Sequence, residues 1–181
     1  MRNIFFLAAL LSGSSVAAAG CPPAKDYSED IAAVIGELQQ APDAATAQEL
    51  SGQLWGMWLD APDAVAQSML DDGMRRRQSF DFLGARLAMD DLVAYCPDYA
   101  EGYNQRAFAS FLAGDFEAAL SDIEITLGFM PVHLGALTGK ALTLLEMGRY
   151  DEAQTVLRFA VSLNPWLAER ALLAPPQGTD I

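Results

Sequence analysis

The chain has 181 residues and a formal net charge of −13, from 11 Lys and Arg against 24 Asp and Glu. Such an acidic surface repels a phosphate backbone, and aspartates flank the one basic cluster at Arg75–Arg77, so nucleic acid is excluded as the expected partner. With 52% hydrophobic residues and abundant Ala and Leu, the composition predicts a single all-α domain with a buried core.

Residues 1–20 have the pattern of a secretory signal peptide. Arg2 precedes an apolar run at residues 4–11, and small residues then lead to Ala17–Ala19. This order of charge, apolar run and small residues is typical of an export signal. The apolar run is shorter than the roughly 20 residues that a membrane-spanning helix needs. We therefore expect export, with no transmembrane helix left after cleavage.

Cys21 and Cys96 are the two cysteines, and Cys21 has two mutually exclusive interpretations. In an oxidising compartment the two thiols can pair in a disulfide. Residues 18–21 also resemble a bacterial lipobox, although the usual Leu is absent at Ala18. A lipidated Cys21 would anchor the protein to a membrane and could not pair with Cys96. We favour a disulfide or a free thiol and keep lipidation as the alternative.

The first two predicted helices cover residues 27–40 and 43–60. Ala-Pro-Asp turns follow each of them, at 41–43 and 61–63, and place Asp43 and Asp63 as N-caps of the next helices. The segment 21–62 is therefore a helical hairpin. Trp55 and Trp58 lie at helical spacing within it, which favours a place in its core.

The rest of the chain repeats every 34 residues. Six more helices are predicted at 63–79, 81–95, 99–113, 116–129, 133–147 and 150–163. Pro97, Pro131 and Pro165 follow every second helix at this spacing. The matching rows in the same register are Ala85, Ala119 and Ala153; Phe82, Phe116 and Tyr150; Met89, Ile123 and Leu157; Gly73, Ala107 and Ala141; and Leu92, Thr126 and Ala160. Such self-similarity indicates a stacked helix-turn-helix repeat.

The period and these residues resemble the tetratricopeptide repeat family, and the whole chain resembles small exported bacterial members of it. The resemblance implies a right-handed helical solenoid, with repeats at 63–97, 98–131 and 132–165. The hairpin at 21–62 is then a degenerate repeat that covers the open end of the stack. Residues 166–181 form a short capping helix and a tail.

Arg106 and Lys140 depart from the family, which usually carries Leu at this position, and Asp72 holds it in the first repeat. One hypothesis is an ion pair between Asp72 and Arg106 that links stacked repeats. The alternative is three long side chains whose charged ends reach water.

The sequence offers little for catalysis or for a cofactor. His133 is the only histidine, so a metal site with two His ligands is impossible. At the start of a helix His133 is expected to be a cap or a surface residue. A nucleophile pair of Cys96 and His133 is conceivable but lacks an oxyanion site. We expect a protein that is not an enzyme and that binds no cofactor or metal.

The resemblance implies that the first helix of each repeat lines a concave groove that binds a polypeptide segment. Asn104 is the expected contact for a peptide backbone, and Phe108, Phe111 and Leu142 are the expected apolar anchors. The family's basic clamp for acidic tails is missing, so a terminal carboxylate is not the expected ligand. An alternative is that the hairpin or the tail fills the groove. The full set of predicted groove residues is Arg77, Glu101, Asn104, Phe108, Phe111, Thr138, Leu142 and Leu145.

These observations predict a protein-protein interaction scaffold or adaptor in the bacterial cell envelope, located in the periplasm. The alternative is a lipid-anchored subunit of an envelope assembly complex. An enzyme with an unrecognised site is the least favoured reading.

Overall fold

The computed structural model describes residues 20–175, and these residues form eight α-helices and one 3-10 helix with no strand among them. The predicted signal peptide, apart from Gly20, lies outside the described residues, as does the end of the tail. No helix in the described range is long and apolar enough to cross a membrane. The elements are α1 (Ser28–Leu38), α2 (Ala44–Trp58), α3 (Ala64–Gln78), α4 (Phe82–Tyr95), α5 (Ala100–Leu112), α6 (Phe116–Phe129), α7 (Leu134–Glu146), α8 (Tyr150–Leu163) and the 3-10 helix Ala168–Leu172.

Aspartate side chains begin four of the helices. Asp43 accepts a hydrogen bond from the Thr46 N–H at the start of α2, and Asp63 accepts from two N–H groups at the start of α3. Asp81 and Asp115 cap α4 and α6 in the same manner. These bonds satisfy N–H groups that have no partner within the helix. The predicted caps at Asp43 and Asp63 are confirmed.

The three prolines at 34-residue spacing occupy equivalent turns between helices. Each follows the last residue of a second helix by two positions and precedes the same backbone hydrogen bond. Those bonds run from the Tyr99 N–H to the Cys96 carbonyl (3.1 Å), from His133 to Met130 (3.0 Å) and from Leu167 to Asn164 (3.2 Å). The repeat read from the sequence is therefore a repeat of backbone conformation.

The helix pairs α3/α4, α5/α6 and α7/α8 stack in order, with α4 against α5 and α6 against α7. The core between them contains Leu70, Met89, Leu92, Ala107 and Ile123. The prediction of an all-α tetratricopeptide-type solenoid is confirmed.

Ion pairs link the stacked repeats, but not the pair that we expected. Arg106 on α5 binds Asp90 on α4 at 2.8 Å, and Lys140 on α7 binds Glu124 on α6 at 2.6 Å. Asp72 instead pairs with Arg75 and Arg76 within α3. The predicted pair of Asp72 and Arg106 is wrong because a first-helix side chain reaches the second helix of the preceding repeat.

The N-terminal hairpin does not cover the first repeat, which corrects the expected stacking order. The apolar faces of α1 and α2 pack on the last repeat instead, in one core that holds Leu38 and Leu54 of the hairpin with Leu137 and Leu163. The Gln39 side chain donates to the Ser162 carbonyl at 3.0 Å. This placement buries the apolar faces of α1 and α2 against α7 and α8, and Trp58 of α2 stacks on His133 at the start of α7.

A disulfide joins Cys21 to Cys96, with Cα atoms 5.1 Å apart. It ties the segment before α1 to the end of α4, beside Leu59 and Met69. A bonded Cys21 has no thiol to lipidate, so the structure contains one of the two alternatives drawn from the sequence.

The capping element after Pro165 is the 3-10 helix Ala168–Leu172. Its first residue lies 34 positions after the start of α7, where a fourth repeat would begin. The Gln154 side chain on α8 donates to the Leu172 carbonyl and accepts from the Ala174 N–H. The segment therefore covers the exposed side of α8.

Candidate binding cavity on the concave face

The first helices of the three repeats, α3, α5 and α7, line a cavity of about 400 Å³ on the concave face. Helix α2 of the hairpin closes one side of it, and Glu169 lies near its edge. The residues that line it are Trp55, Leu59, Met74, Arg77, Asn104, Gln105, Ala107, Phe108, Phe111, Ile123, Gly135, Thr138, Gly139, Leu142, Thr143 and Glu169. The groove is thus neither fully open nor filled by the hairpin.

The wall of this cavity is mostly apolar. Met74, Phe108, Phe111 and Leu142 contribute from three successive first helices. Phe108 is 46% exposed, and Leu112, which lies outside the cavity one turn further on α5, is 39% exposed. Large apolar side chains at this exposure gain free energy when a partner covers them, at about 25 cal/mol per Å² of apolar surface.

Among residues 20–175, Arg77 is the one basic side chain that lines the cavity. Its guanidinium lies over the Phe108 ring, 4.4 Å from the centroid, and donates to Oε1 of Gln105. Burial lowers the pKa of Arg77, and the nearby Glu101 carboxylate partly opposes this. The arrangement holds the guanidinium in a fixed place in the wall.

A buried polar network lies beneath the cavity floor. The Glu101 carboxylate accepts from Nδ2 of Asn104 at 3.1 Å and from the Gln105 amide. It also lies 2.9 Å from Nε2 of His133. Both Glu101 and His133 are fully buried. Because this network fixes the Asn104 amide through its nitrogen, the carbonyl oxygen of Asn104 remains as the acceptor for a ligand N–H.

His133 is the N-cap of α7, which is one of the two places expected for it from the sequence. It is buried and does not lie at the surface, which was the other. Its Nδ1 accepts from the Ala136 N–H at 3.1 Å. The Trp58 ring stacks on the imidazole with centroids 3.9 Å apart. His133 therefore joins the hairpin to α5 and α7.

The structure brings together six of the eight predicted groove residues in the cavity wall: Arg77, Asn104, Phe108, Phe111, Thr138 and Leu142. Glu101 lies in the network below, where it orients Asn104. Leu145 is half-buried and does not line the cavity.

Sequence reasoning missed the contribution of the hairpin. Trp58 lies in the core as expected, at 3% exposure, but Trp55 is 37% exposed and lines the cavity. A Cβ at Gly135 would lie only 2.8 Å from the Trp55 ring, so the absence of a side chain at 135 allows this close approach. Glycine at 135 was the available signal, because a missing side chain often marks a close approach.

The chemistry of the cavity suits binding. Apolar walls with a few fixed polar groups are typical of sites that hold a ligand. Cys96 is held in the disulfide, so it supplies no thiol nucleophile. Within residues 20–175, no three His, Cys, Asp or Glu side chains come together as metal ligands.

The stacked helix pairs and their concave face define an α-solenoid of helix-turn-helix repeats. Two relatives carry the same repeat. A TPR repeat-containing protein of Rhizobium etli is 30% identical over 121 residues, 64% of this chain and 56% of the relative. Tetratricopeptide repeat protein 36 of Xenopus tropicalis is 31% identical over 129 residues, 69% of this chain and 64% of the relative. The chain thus spans less than two thirds of the length of either relative.

A solved structure shows the same fold. The first TPR of Spaghetti (RPAP3), bound to the HSP90 peptide SRMEEVD, superposes with a TM-score of 0.58 at 17% identity, over 59% of this chain and 85% of that one. No protein-family model matches the chain. The repeat register, the fold and the named relatives identify the chain as a member of the tetratricopeptide repeat family.

Proposed function

We propose that this protein is a non-enzymatic scaffold that binds a polypeptide segment of another protein in its concave cavity. The observation that carries the proposal is the apolar wall built by Met74, Phe108 and Leu142 from three successive repeats. A cavity of about 400 Å³ suits one or two large apolar side chains rather than a whole helix.

Polar groups in the cavity wall suit a peptide backbone. The Asn104 carbonyl oxygen can accept from a peptide N–H, while the Thr138 and Thr143 hydroxyls line the other side. The solved TPR of RPAP3 has a peptide bound, which supports the class of ligand without defining its sequence. Phe108 and Gly139 occupy positions where the family's clamp has polar or basic groups, so we expect an apolar anchor rather than a terminal carboxylate.

The proposal is tested by comparing the wild type with Phe108→Ala and Leu142→Ala in a crosslinking pull-down from the envelope of the native host. We expect both variants to lose the captured partner by about tenfold or more, since each removes an apolar anchor worth about 1.5–3 kcal/mol. Phe129→Ala is the matched control, because Phe129 is 47% exposed and lies outside the cavity. Partners that are captured equally by all three variants would contradict the proposal.

Export to the periplasm is part of the proposal. It is supported by the signal pattern in residues 1–20 and by the disulfide between Cys21 and Cys96, since disulfides persist in oxidising compartments. Intact mass of the protein from its native host tests this. The expected mass is that of the chain without its signal segment and without the two thiol protons lost in the disulfide. An added mass of diacylglycerol on Cys21 would instead establish the lipid-anchored alternative.

A further inference from the structure

The outer face of the first repeat has no helix stacked on it within the described part of the chain. A depression between α3 and α4 is lined by Met69, Asp72, Gly84 and Leu87. In the second repeat, the second helix of the preceding repeat covers the equivalent face. There, a Cβ at Gly102 would lie only 3.1 Å from the Val93 side chain of α4. The shape that fits the open depression is therefore the second helix of another repeat.

The first repeat is also apolar where the other two repeats are polar. Leu83 and Leu87 on α4 are 69% and 57% exposed. The equivalent residues are Glu117 and Ser121 in the second repeat and Asp151 and Thr155 in the third, all exposed as well. Packing among residues 20–175 leaves both leucines exposed. Because Glu117 and Ser121 remain exposed beside the stacked α4, these positions lie at the rim of a repeat-to-repeat contact, and of the two leucines Leu87 also lines the depression.

The charges that join one repeat to the next are reversed at the two ends of the stack. Inside the stack, a base on the first helix binds an acid on the preceding second helix: Arg106 with Asp90, and Lys140 with Glu124. In the same register the first repeat has the acid Asp72, and the third repeat has the base Arg158. The reversed pair is complementary only if the end of one chain meets the beginning of another.

The C-terminal segment occupies this place in the single chain. Nη2 of Arg158 donates to the Ala174 carbonyl at 3.2 Å, and residue 174 is in register with 72, 106 and 140. No residue of the 3-10 helix Ala168–Leu172 is buried. Exposed hydrogen bonds join residues 172–174 to α8, whereas Trp166 and Leu167 before the 3-10 helix stay packed on the hairpin core. A short segment held in this way can be displaced at small cost in free energy.

We propose that this protein associates head to tail with a second copy of itself. In this contact, the C-terminal segment of one copy leaves the exposed side of α8, and the α3/α4 depression of the next copy packs there in its place. Arg158 of the first copy then binds Asp72 of the next copy. A head-to-tail contact leaves a free end on each chain, so the oligomers grow with concentration.

The test uses two charge reversals that copy this chain's own second repeat, Asp72→Arg as at Arg106 and Arg158→Glu as at Glu124. Sedimentation velocity at physiological ionic strength measures the mass over a concentration series. We expect the wild type to associate and each single variant to associate about tenfold to a hundredfold more weakly, because like charges then face each other. The double variant and an equimolar mixture of the two single variants both restore association.

Two controls separate the ion pair from other effects. Asp72 also holds Arg75 and Arg76 in α3, so circular dichroism must show that every variant keeps its helix content. Leu87→Ser, which copies Ser121, is expected to weaken association, and adding the two charge reversals to this variant does not restore association. A wild type that remains at monomer mass overturns the proposal. So does association that is unaffected by the reversals, or single variants that the double variant does not rescue.

Discussion

Among residues 20–175, Phe80 is the one non-glycine residue with a positive φ. It turns the chain between α3 and α4 with a φ of 62°, where Gly114 and Gly148 hold the equivalent turns at 78° and 72°. The left-handed region costs a non-glycine residue about 1–2 kcal/mol. The turn is nevertheless kept, because the Asp81 N–H still donates to the Arg76 carbonyl at 3.0 Å as in the other repeats.

Phe80→Gly therefore stabilises the protein. We expect the free energy of unfolding to rise by about 1 kcal/mol, since relief of the left-handed strain exceeds the added flexibility of the unfolded chain. Gly114→Ala is the reciprocal change and is expected to lower it by about 1 kcal/mol. Urea denaturation of both variants measures this, and a loss of stability in Phe80→Gly would show that the exposed ring contributes more than the strain costs.

Asp63 makes the stability of the hairpin junction depend on pH. Its carboxylate caps α3 through the Ala66 and Val65 N–H groups and accepts from the Tyr95 hydroxyl, and these bonds lower the pKa of Asp63. A lowered folded-state pKa gives stability that is complete above the unfolded-state value of about 3.9 and is lost as the pH falls through the folded-state value.

We thus expect wild type to melt at a higher temperature than Asp63→Ala at neutral pH, and the difference to shrink as the medium is acidified below about pH 4. Thermal melts across a pH series measure it. A difference that stays constant down to strongly acidic pH would mean that the cap does not act through its charge.

At the scale of elements, Arg106 ties three helices together. From α5 it binds Asp122 of α6 at 2.7 Å and Asp90 of α4 at 2.8 Å, and these bonds raise the pKa of Arg106. The Asp122 side chain is only 8% exposed, whereas Glu124, the partner of Lys140, is 55% exposed. The two equivalent positions in the register therefore contribute differently to stability.

The contributions of Arg106 and Lys140 to stability can be compared by replacing each of them with leucine, the residue typical of the family at this position. Arg106→Leu is expected to destabilise by about 2 kcal/mol because it leaves a buried carboxylate without its partner. Lys140→Leu is expected to cost less than about 0.5 kcal/mol, since the carboxylate that it leaves behind, Glu124, is largely solvated. Chemical denaturation measures both, and equal effects would argue against a special role for Asp122.

At the scale of the whole molecule, the hairpin joins the first repeat to the last. The disulfide and Tyr99, whose hydroxyl donates to the Trp58 carbonyl at 2.7 Å, hold its base near the first repeat. Its far end reaches α8 and Trp166, whose Nε1 donates to the Ala41 carbonyl at 3.0 Å. The hairpin thereby sets the width of the cavity between Trp55 and the repeat helices.

A crosslinking experiment distinguishes this arrangement from a simple stack. Cysteines at Gln39 and Ser162, joined by a short bismaleimide, are expected to crosslink in high yield, because the two residues are in hydrogen-bond contact. Cysteines at Gln39 and Ser68 are the control, with Ser68 on the open face of the first repeat. The reverse preference, seen by mass spectrometry, would mean that the hairpin caps the first repeat after all.

The structural features that recur from repeat to repeat could be predicted from the sequence. Local signals such as Asp43 and the prolines at 34-residue spacing repeat with the backbone, so helix ends and repeat register could be predicted. The place of the hairpin could not, because its apolar faces match several surfaces and nothing in its own sequence specifies α7 and α8. The error at Trp55 follows from this, because its ring borders the cavity and not the core of the hairpin. Glu101 lies beneath the groove for another reason, its pairing with His133, 32 residues further along the chain.

The central claim is that the concave cavity, and not the outer helices, receives a partner polypeptide. Hydrogen-deuterium exchange of the protein with and without its captured partner tests it most directly. We predict slower exchange in Ala100–Leu112 and Leu134–Glu146, which line the cavity, with Phe82–Tyr95, none of whose residues lines it, unchanged. Protection confined to the outer helices, with α5 and α7 exchanging as in the free protein, would contradict the account.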